Sequence, residues 1–219
     1  MNILKYISLF LLLISNSILG NNPEEINLFR PSIRIGFDAS GLVKRLWQPE
    51  TMQLEFSADA EIKPNWFIAA EAGYLDIDII RNNFDYNANG LFLRLGADYN
   101  VLTKKPSESN DVVLISMRYG YSGLSHSASR VNIIDPYWGD YTTAIDSEIV
   151  NSHWLELGFS LKTELFKGLF LGWAIRGRYL IYRSQDPLLE PYNIPGFGNL
   201  RKNNTGFSLH YGLFYRIPL

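Results

Sequence analysis

The sequence contains no cysteine. A disulfide framework, a thiol nucleophile and a lipid-modified cysteine are therefore excluded. Histidine is scarce, with residues at positions 126, 153 and 210. None of the three is spaced as a metal ligand with another histidine, aspartate or glutamate on one strand. We predict no metal site, no cofactor and no catalytic residue.

An excess of charge of one sign is also lacking, because 22 acidic residues stand against 20 basic ones and the net charge is -2. The basic surface that binds a phosphate backbone is absent, so we predict no nucleic acid partner. After residue 20 the sequence has no run of about 18 apolar residues, and this excludes a second apolar helix of membrane-spanning length.

The first residues have the layout of a secretory signal peptide. Lys5 precedes an apolar run at 10–14, and small residues follow as far as Gly20. Ser15 and Asn16 interrupt the run too early for a retained membrane helix. We predict a signal peptide over residues 1–20, cleaved after Gly20, a periplasmic lead-in segment over 21–30 and an outer-membrane β-barrel over 31–219.

The rest of the chain alternates between apolar and polar residues with the period of two that is typical of β-strands. Eight segments show this alternation, and each covers about ten residues, the length with which a tilted strand crosses a bilayer. The connections after the second, fourth and sixth segments are short or compact, and the others are longer. This pattern predicts an all-β fold, an eight-stranded antiparallel up-and-down transmembrane β-barrel with turns at one end and loops at the other. The segments lie near residues 32–41, 51–62, 66–76, 89–101, 112–123, 153–165, 168–182 and 205–219.

Two barrels fit this alternation: a membrane barrel with its apolar face outward, and a soluble lipocalin-like carrier with that face inward. The polar face favours the membrane barrel, because its charges are interspersed with glycines that suit a narrow lumen. Acids and bases on this face are nearly equal in number, so they can pair when buried. We predict that they plug the lumen, with a gated ion path as the alternative. The predicted lumen charge network comprises Arg34, Asp38, Glu55, Asp59, Glu71, Arg94, Asp98, Arg118, Glu156, Lys162, Arg176, Arg178 and Arg216.

Aromatic residues on the apolar face fall mostly at strand ends, as in the two interfacial girdles of membrane barrels. At the turn end, the predicted girdle comprises Trp66, Tyr99 and Tyr215. At the loop end, it comprises Tyr74, Tyr121, Tyr179 and Phe207.

The last strand, "TGFSLHYGLFYRIPL", carries a large apolar residue at every second position from Phe207 to Leu219. It resembles the terminal insertion signal of bacterial outer-membrane proteins, although the usual final Phe is replaced by Leu219. With the signal peptide, the strand count and the "FYRIPL" ending, residues 31–219 resemble the uncharacterised small outer-membrane barrels of Bacteroidota. The resemblance implies a location in the bacterial outer membrane, with outer-membrane lipids and the barrel-assembly machinery as partners, and it carries no known active site.

The longest predicted loop, residues 124–152, contains "DPYWGDYTTAIDSE". Its aromatic residues lie between carboxylates, so the loop either binds a glycan or an envelope protein, or it folds over the barrel mouth as a cap. The binding candidates are Tyr137, Trp138, Asp140 and Tyr141. In the connection 186–204, Tyr192 and Phe197 are expected to pack on Trp138 or to meet a ligand.

We predict a non-enzymatic barrel that presents loops for binding or supports envelope structure. The alternative is an outer-membrane lipid acyl hydrolase. In that hypothesis His126 acts with the serines of "SHSAS" and with Glu156 from the neighbouring strand.

Overall fold

The computed structural model describes residues 32–102, 110–199 and 204–218. The predicted signal peptide and lead-in segment lie outside these residues. The described chain forms a closed barrel of eight antiparallel strands in sequence order, which confirms the predicted fold class. The strands are β1 (Ser32–Asp38), β2 (Thr51–Lys63), β3 (Trp66–Ile80), β4 (Phe84–Asn100), β5 (Val112–Ile133), β6 (Tyr141–Phe166), β7 (Leu169–Arg183) and β8 (Thr205–Pro218).

Closure joins the first strand to the last. Ile33 of β1 lies opposite Ile217 of β8, and the antiparallel register continues to Asp38 opposite Gly212. Neither β1 nor β8 therefore has an unpaired edge along this seam. A short helix, α1 (Ser40–Lys44), follows β1 where the sequence predicted three more strand residues. Among the described residues, no helix is long and apolar enough to cross a bilayer.

The turn end, which carries the β2–β3, β4–β5 and β6–β7 connections, has two tight turns in its described part. Asn65 has a φ of 67° in the first of them, and Gly168 has a φ of 83° in the second. Asparagine and glycine are the residues that adopt this left-handed conformation most readily. The sequence stretches "KPN" and "FKG" therefore suit these reversals.

The loop end differs from the prediction between β5 and β6. Residues 124–152 form mostly a continuation of the two strands, and only 134–140 connect them. Both faces of β6 are largely exposed between Tyr141 and Ile149, so this part of the sequence lacks the apolar-to-polar alternation that marks a half-buried strand. The predicted long loop is thus a protruding β-hairpin, which we call the upper hairpin (residues 124–152).

Most apolar side chains of the strands point away from the barrel axis, whereas the charged residues of the predicted network point into the lumen. Ile68, Leu95, Leu157 and Leu209 are among the exposed apolar residues, and all seven predicted girdle residues are exposed as well. Trp66 and Tyr99 contact each other at the turn end, with ring centroids 5.0 Å apart. The alternative of a carrier with apolar residues filling its interior and charges outside is therefore wrong for this barrel wall.

Candidate functional site

The centre of the lumen is organised around Arg94 on β4, whose side chain is fully buried. Its guanidinium forms ion pairs with Glu55, Glu71 and Glu156 from three different strands. The Nε to Glu71 Oε2 distance is 3.1 Å and the Nη1 to Glu156 Oε2 distance is 3.2 Å. The pair with Glu55 is the closest of the three. One arginine thus connects carboxylates across the full width of the barrel.

Two further arginines complete the balance of charge around Glu71. Arg176 donates two hydrogen bonds to this carboxylate, at 2.6 and 2.9 Å, in a bidentate arrangement. The Arg118 Nε atom lies 3.1 Å from Glu71 Oε1, and its Nη1 atom lies 3.1 Å from Asp98. Charge-assisted bidentate pairs are the strongest hydrogen bonds that side chains make, so this part of the lumen is expected to be rigid.

Toward the turn end, a second layer is centred on Asp59. Its two oxygens accept hydrogen bonds of 2.6 Å from Arg34 Nε and from Lys162 Nζ. The Lys162 ammonium also lies 4.2 Å from the centroid of the Phe214 ring. Arg216 lies lower and is only half-buried, and it donates to Asn110 Oδ1 at 2.7 Å. It therefore belongs to the rim of the barrel and not to the central network.

Toward the loop end, Arg178 on β7 connects three partners. It donates to Glu156 Oε2 at 2.6 Å, to His210 Nε2 at 2.8 Å and to the backbone carbonyl of Phe197 at 2.8 Å. His210 Nδ1 lies 2.6 Å from Asp38 Oδ2. All thirteen predicted network residues point inward, and eleven of them are buried, whereas Asp38 and Arg216 are half-buried.

Barrel closure also brings Asp38, Glu55 and His210 together, with one potential ligand atom of each within 4.8 Å of the others. The sequence prediction missed this group because it considered spacing along single strands, whereas these residues lie on β1, β2 and β8. Arg178 donates to Nε2 of His210, so the neutral imidazole carries its proton on Nδ1 and donates it to Asp38. Neither ring nitrogen then has a free lone pair, and the group is a poor match for a metal ion.

The β7–β8 connection enters the mouth of the barrel. Residues 193–197, which we call the mouth plug, are buried, and the plug closes on itself through a hydrogen bond of 2.8 Å from Gly198 N to the Ile194 carbonyl oxygen. Phe197 packs edge-on against Trp154, with ring centroids 5.9 Å apart. Phe92 and Leu180 complete this apolar cluster. The expected contact of Phe197 with Trp138 is therefore wrong.

The tip of the upper hairpin presents the predicted binding candidates to solvent. Tyr137 and Trp138 are each 84% exposed, and their rings contact each other at 5.0 Å. Asp135 accepts backbone hydrogen bonds from Trp138 and Tyr137, at 2.9 and 2.8 Å, and these bonds hold the pKa of its carboxyl below the usual value. Within the described residues, the two rings at the tip are exposed, whereas residues 193–197 are buried in the barrel mouth.

Asp140 and Tyr141 flank the tip on the β6 side, and both are exposed. The structure therefore brings the four candidates together on one projection.

The residues proposed for acyl hydrolysis do not assemble into a catalytic set. His126 points inward, and its Nε2 atom lies 3.1 Å from Asp186 Oδ2. Ser125 lies next to it in the strand and faces the other side, where its Oγ atom contacts Ser147 Oγ at 2.8 Å. Glu156 is held by arginines deeper in the lumen. The spacing of "SHSAS" on a strand, with alternate residues on opposite faces, separates serine from histidine.

The family model described as "Domain of unknown function (DUF6048)" matches residues 4–219. The chain belongs to the DUF6048 family. No curated protein matches the sequence significantly.

Several solved structures are similar to this DUF6048 chain in fold. A major outer membrane protein from Thermus thermophilus is 15% identical, with a TM-score of 0.51, and the match covers 86% of this chain and 99% of that one. Neisserial surface protein A (NspA) is 12% identical, with a TM-score of 0.42 and coverage of 84% and 94%. Ail of Yersinia pestis is 9% identical, with a TM-score of 0.41 and coverage of 86% and 98%. The Thermus match shows a shared barrel fold.

Sequence reasoning missed two large apolar residues inside this DUF6048 barrel, Trp154 and Phe92. Trp154 and Phe92 lie on the same inward stripe as Glu156 and Arg94, two residues away along each strand. Extending the inward alternation by one step would have found them. The indole of Trp154 lies over Gly120, where a Cβ atom would overlap it, so the glycine of the neighbouring strand provides space for this ring. The mouth plug carries no such periodic signal.

Proposed function

We propose that the chain is a non-enzymatic outer-membrane barrel that presents the upper hairpin outside the cell for binding, with a lumen closed by ion pairs. The observation that carries the proposal is the orientation of the wall: apolar residues such as Leu157, at 65% exposed, are outside, and Arg94 is fully buried inside. An exposed apolar surface of this extent needs an apolar surrounding, and lipid provides it. The shared fold with a protein described as a major outer membrane protein supports this location.

The hairpin tip supports a binding role. Tyrosine and tryptophan are the residues that contribute most to interfaces, and here both project from the sheet without a covering segment among the described residues. A glycan or an envelope protein is the partner class that such aromatics with adjacent carboxylates fit. The Bacteroidota envelope, cleavage of the signal peptide, contact with outer-membrane lipids and recognition by the barrel-assembly machinery are further parts of this proposal.

The proposal predicts the side of the membrane on which each barrel end lies. Because the chain has no native cysteine, Asp140→Cys and Lys167→Cys each create a single thiol, at the hairpin tip and at the turn end. In intact cells that export the protein, a membrane-impermeant maleimide should label the first variant only. The second should be labelled once the outer membrane is permeabilised. Labelling of Lys167→Cys in intact cells, or of neither variant after permeabilisation, would contradict the proposal.

The proposal also predicts that the barrel does not conduct. An eight-stranded barrel has an interior that side chains fill, and here ion pairs join opposite walls at two heights, Lys162 of β6 to Asp59 of β2 and Arg176 of β7 to Glu71 of β3. In planar bilayers, the purified protein should give no steady current under conditions in which a general porin does. A stable open level that depends on protein concentration would favour the gated ion path.

A further inference from the structure

The outer edge of β6 is unpaired where the upper hairpin rises above β7. Pairing between β6 and β7 begins with Ser152 opposite Arg183. Above this pair, the Asn151 carbonyl accepts a hydrogen bond of 2.9 Å from the Ser184 backbone N–H. From Val150 to Tyr141, no residue within 32–102, 110–199 or 204–218 continues the sheet on this side. We call the stretch 141–150 the open edge.

The direction of the backbone groups on the open edge follows from its last paired residue. Asn151 N donates to Ser184 Oγ at 2.8 Å, so the N–H and C=O of Asn151 point away from β5. Backbone groups of an antiparallel strand alternate in direction, and the register with β5 is regular from Glu148 to Asn151. Ile149 therefore presents its own N–H and C=O to the unoccupied side. An additional strand would form main-chain hydrogen bonds with these groups.

The charges of the hairpin decide which strand fits. Between residues 131 and 152 the sequence has four acids, Asp135, Asp140, Asp146 and Glu148, and no lysine or arginine. If a second copy of this chain paired antiparallel along the same edge, centred on Ser147, Asp146 of each copy would lie opposite Glu148 of the other, and opposed like charges destabilise a sheet. The same acids attract a strand that carries lysine or arginine at its facing positions.

We propose that the open edge is a docking strand for an extended, basic segment of another protein, which adds to the sheet beside β6. Main-chain hydrogen bonds give the affinity, and the acids select the partner and exclude self-pairing. The aromatic rings of Tyr137 and Trp138 stand at the upper end of the same edge, where they would contact the added segment. This inference rests on the proposed function, because the hairpin must project beyond the membrane for a partner to reach it.

The experiment uses the full chain, purified in detergent micelles, and a short peptide of alternating lysine and valine as the probe. The native protein should bind the peptide saturably, as measured by calorimetry. Ile149→Pro should weaken binding about tenfold, because proline removes one edge-facing donor and obstructs the added strand. Ile149→Ala is the matched control, since it also loses the side chain but keeps the N–H, and it should bind within about twofold of the native protein. Heat-modifiable migration on a gel checks that each variant remains a folded barrel.

Three outcomes would overturn the inference. The first is equal binding by Ile149→Pro and Ile149→Ala. The second is equal binding of a peptide with the same sequence whose alternate backbone nitrogens are methylated, because such a peptide keeps its charge but cannot pair as a strand. The third is concentration-dependent dimerisation of the native protein that Ile149→Pro abolishes, which would make a second copy the occupant. The binding test uses purified protein, so a negative binding result would not change the outcome of the cell-labelling test. A negative labelling result would likewise not change the binding result.

Discussion

Replacing Arg94 with methionine is expected to lower the free energy of unfolding of the barrel by about 3–5 kcal/mol. The fully buried guanidinium pairs with Glu55, Glu71 and Glu156, so its removal leaves an excess of negative charge in a closed space. Urea unfolding of the protein in lipid vesicles, followed by tryptophan fluorescence, measures the change. An unfolding midpoint within error of the native value would show that water or rearrangement compensates the carboxylates.

Two variants test whether uncompensated charge is the cause. Arg81→Met removes an arginine whose ion pair with Glu50 is solvent-exposed, and we expect a far smaller change. Glu55→Gln in the Arg94→Met background removes one of the excess charges, so the double variant should be more stable than Arg94→Met alone. If the double variant is less stable, packing around the arginine stem, and not charge balance, accounts for the loss.

Replacing Phe197 with alanine is expected to release the mouth plug while the barrel stays folded. Phe197 packs on Trp154 in the cluster that holds residues 193–197 in place, and deletion of a buried phenyl ring costs about 3 kcal/mol or more. The amides of Ile194 and Gly198, which bond each other's carbonyls at 3.1 and 2.8 Å, report directly on this segment. Their hydrogen exchange should accelerate on the order of a hundredfold.

Tyr192→Ala is the control for this experiment, because the ring is half exposed and lies beside the buried segment. Its exchange rates at Ile194 and Gly198 should stay near those of the native protein. Amides in the β4–β5 ladder should be unchanged in both variants. Unchanged exchange at Gly198 in Phe197→Ala would mean that the backbone bond from Arg178 to Phe197 alone retains the plug.

The strands of the barrel wall were predictable from the sequence, because a strand that is buried on one face alternates between two kinds of residue with a period of two. Every charged residue assigned to the lumen from the sequence points there, and the girdle positions are exposed. The periodic signal disappears where this asymmetry ends. In the upper hairpin both faces meet solvent, so β5 was predicted to end about ten residues early and β6 to begin about twelve residues late.

The sequence predicted which residues belong to the candidate site, but it did not predict which of them pair with each other. Which acid meets which base depends on the shear of the closed sheet, and this is why Asp38, Glu55 and His210 from three strands were not grouped in advance. The mouth plug depends on the fit of Ile194 and Phe197 to a cavity that exists only after closure. No property of residues 193–197 alone distinguishes them from a surface connection.

The pairing of β1 with β8 has a consequence for the biogenesis of the protein. If the protein is exported from its N-terminal side, as the proposed function requires, β1 leaves the cytoplasm before the other strands and β8 follows all of them. The backbone groups of β1 that face the seam then stay unpaired until β8 arrives. A chain that ends before β8 therefore keeps an unpaired edge on β1, and an exposed strand edge favours aggregation.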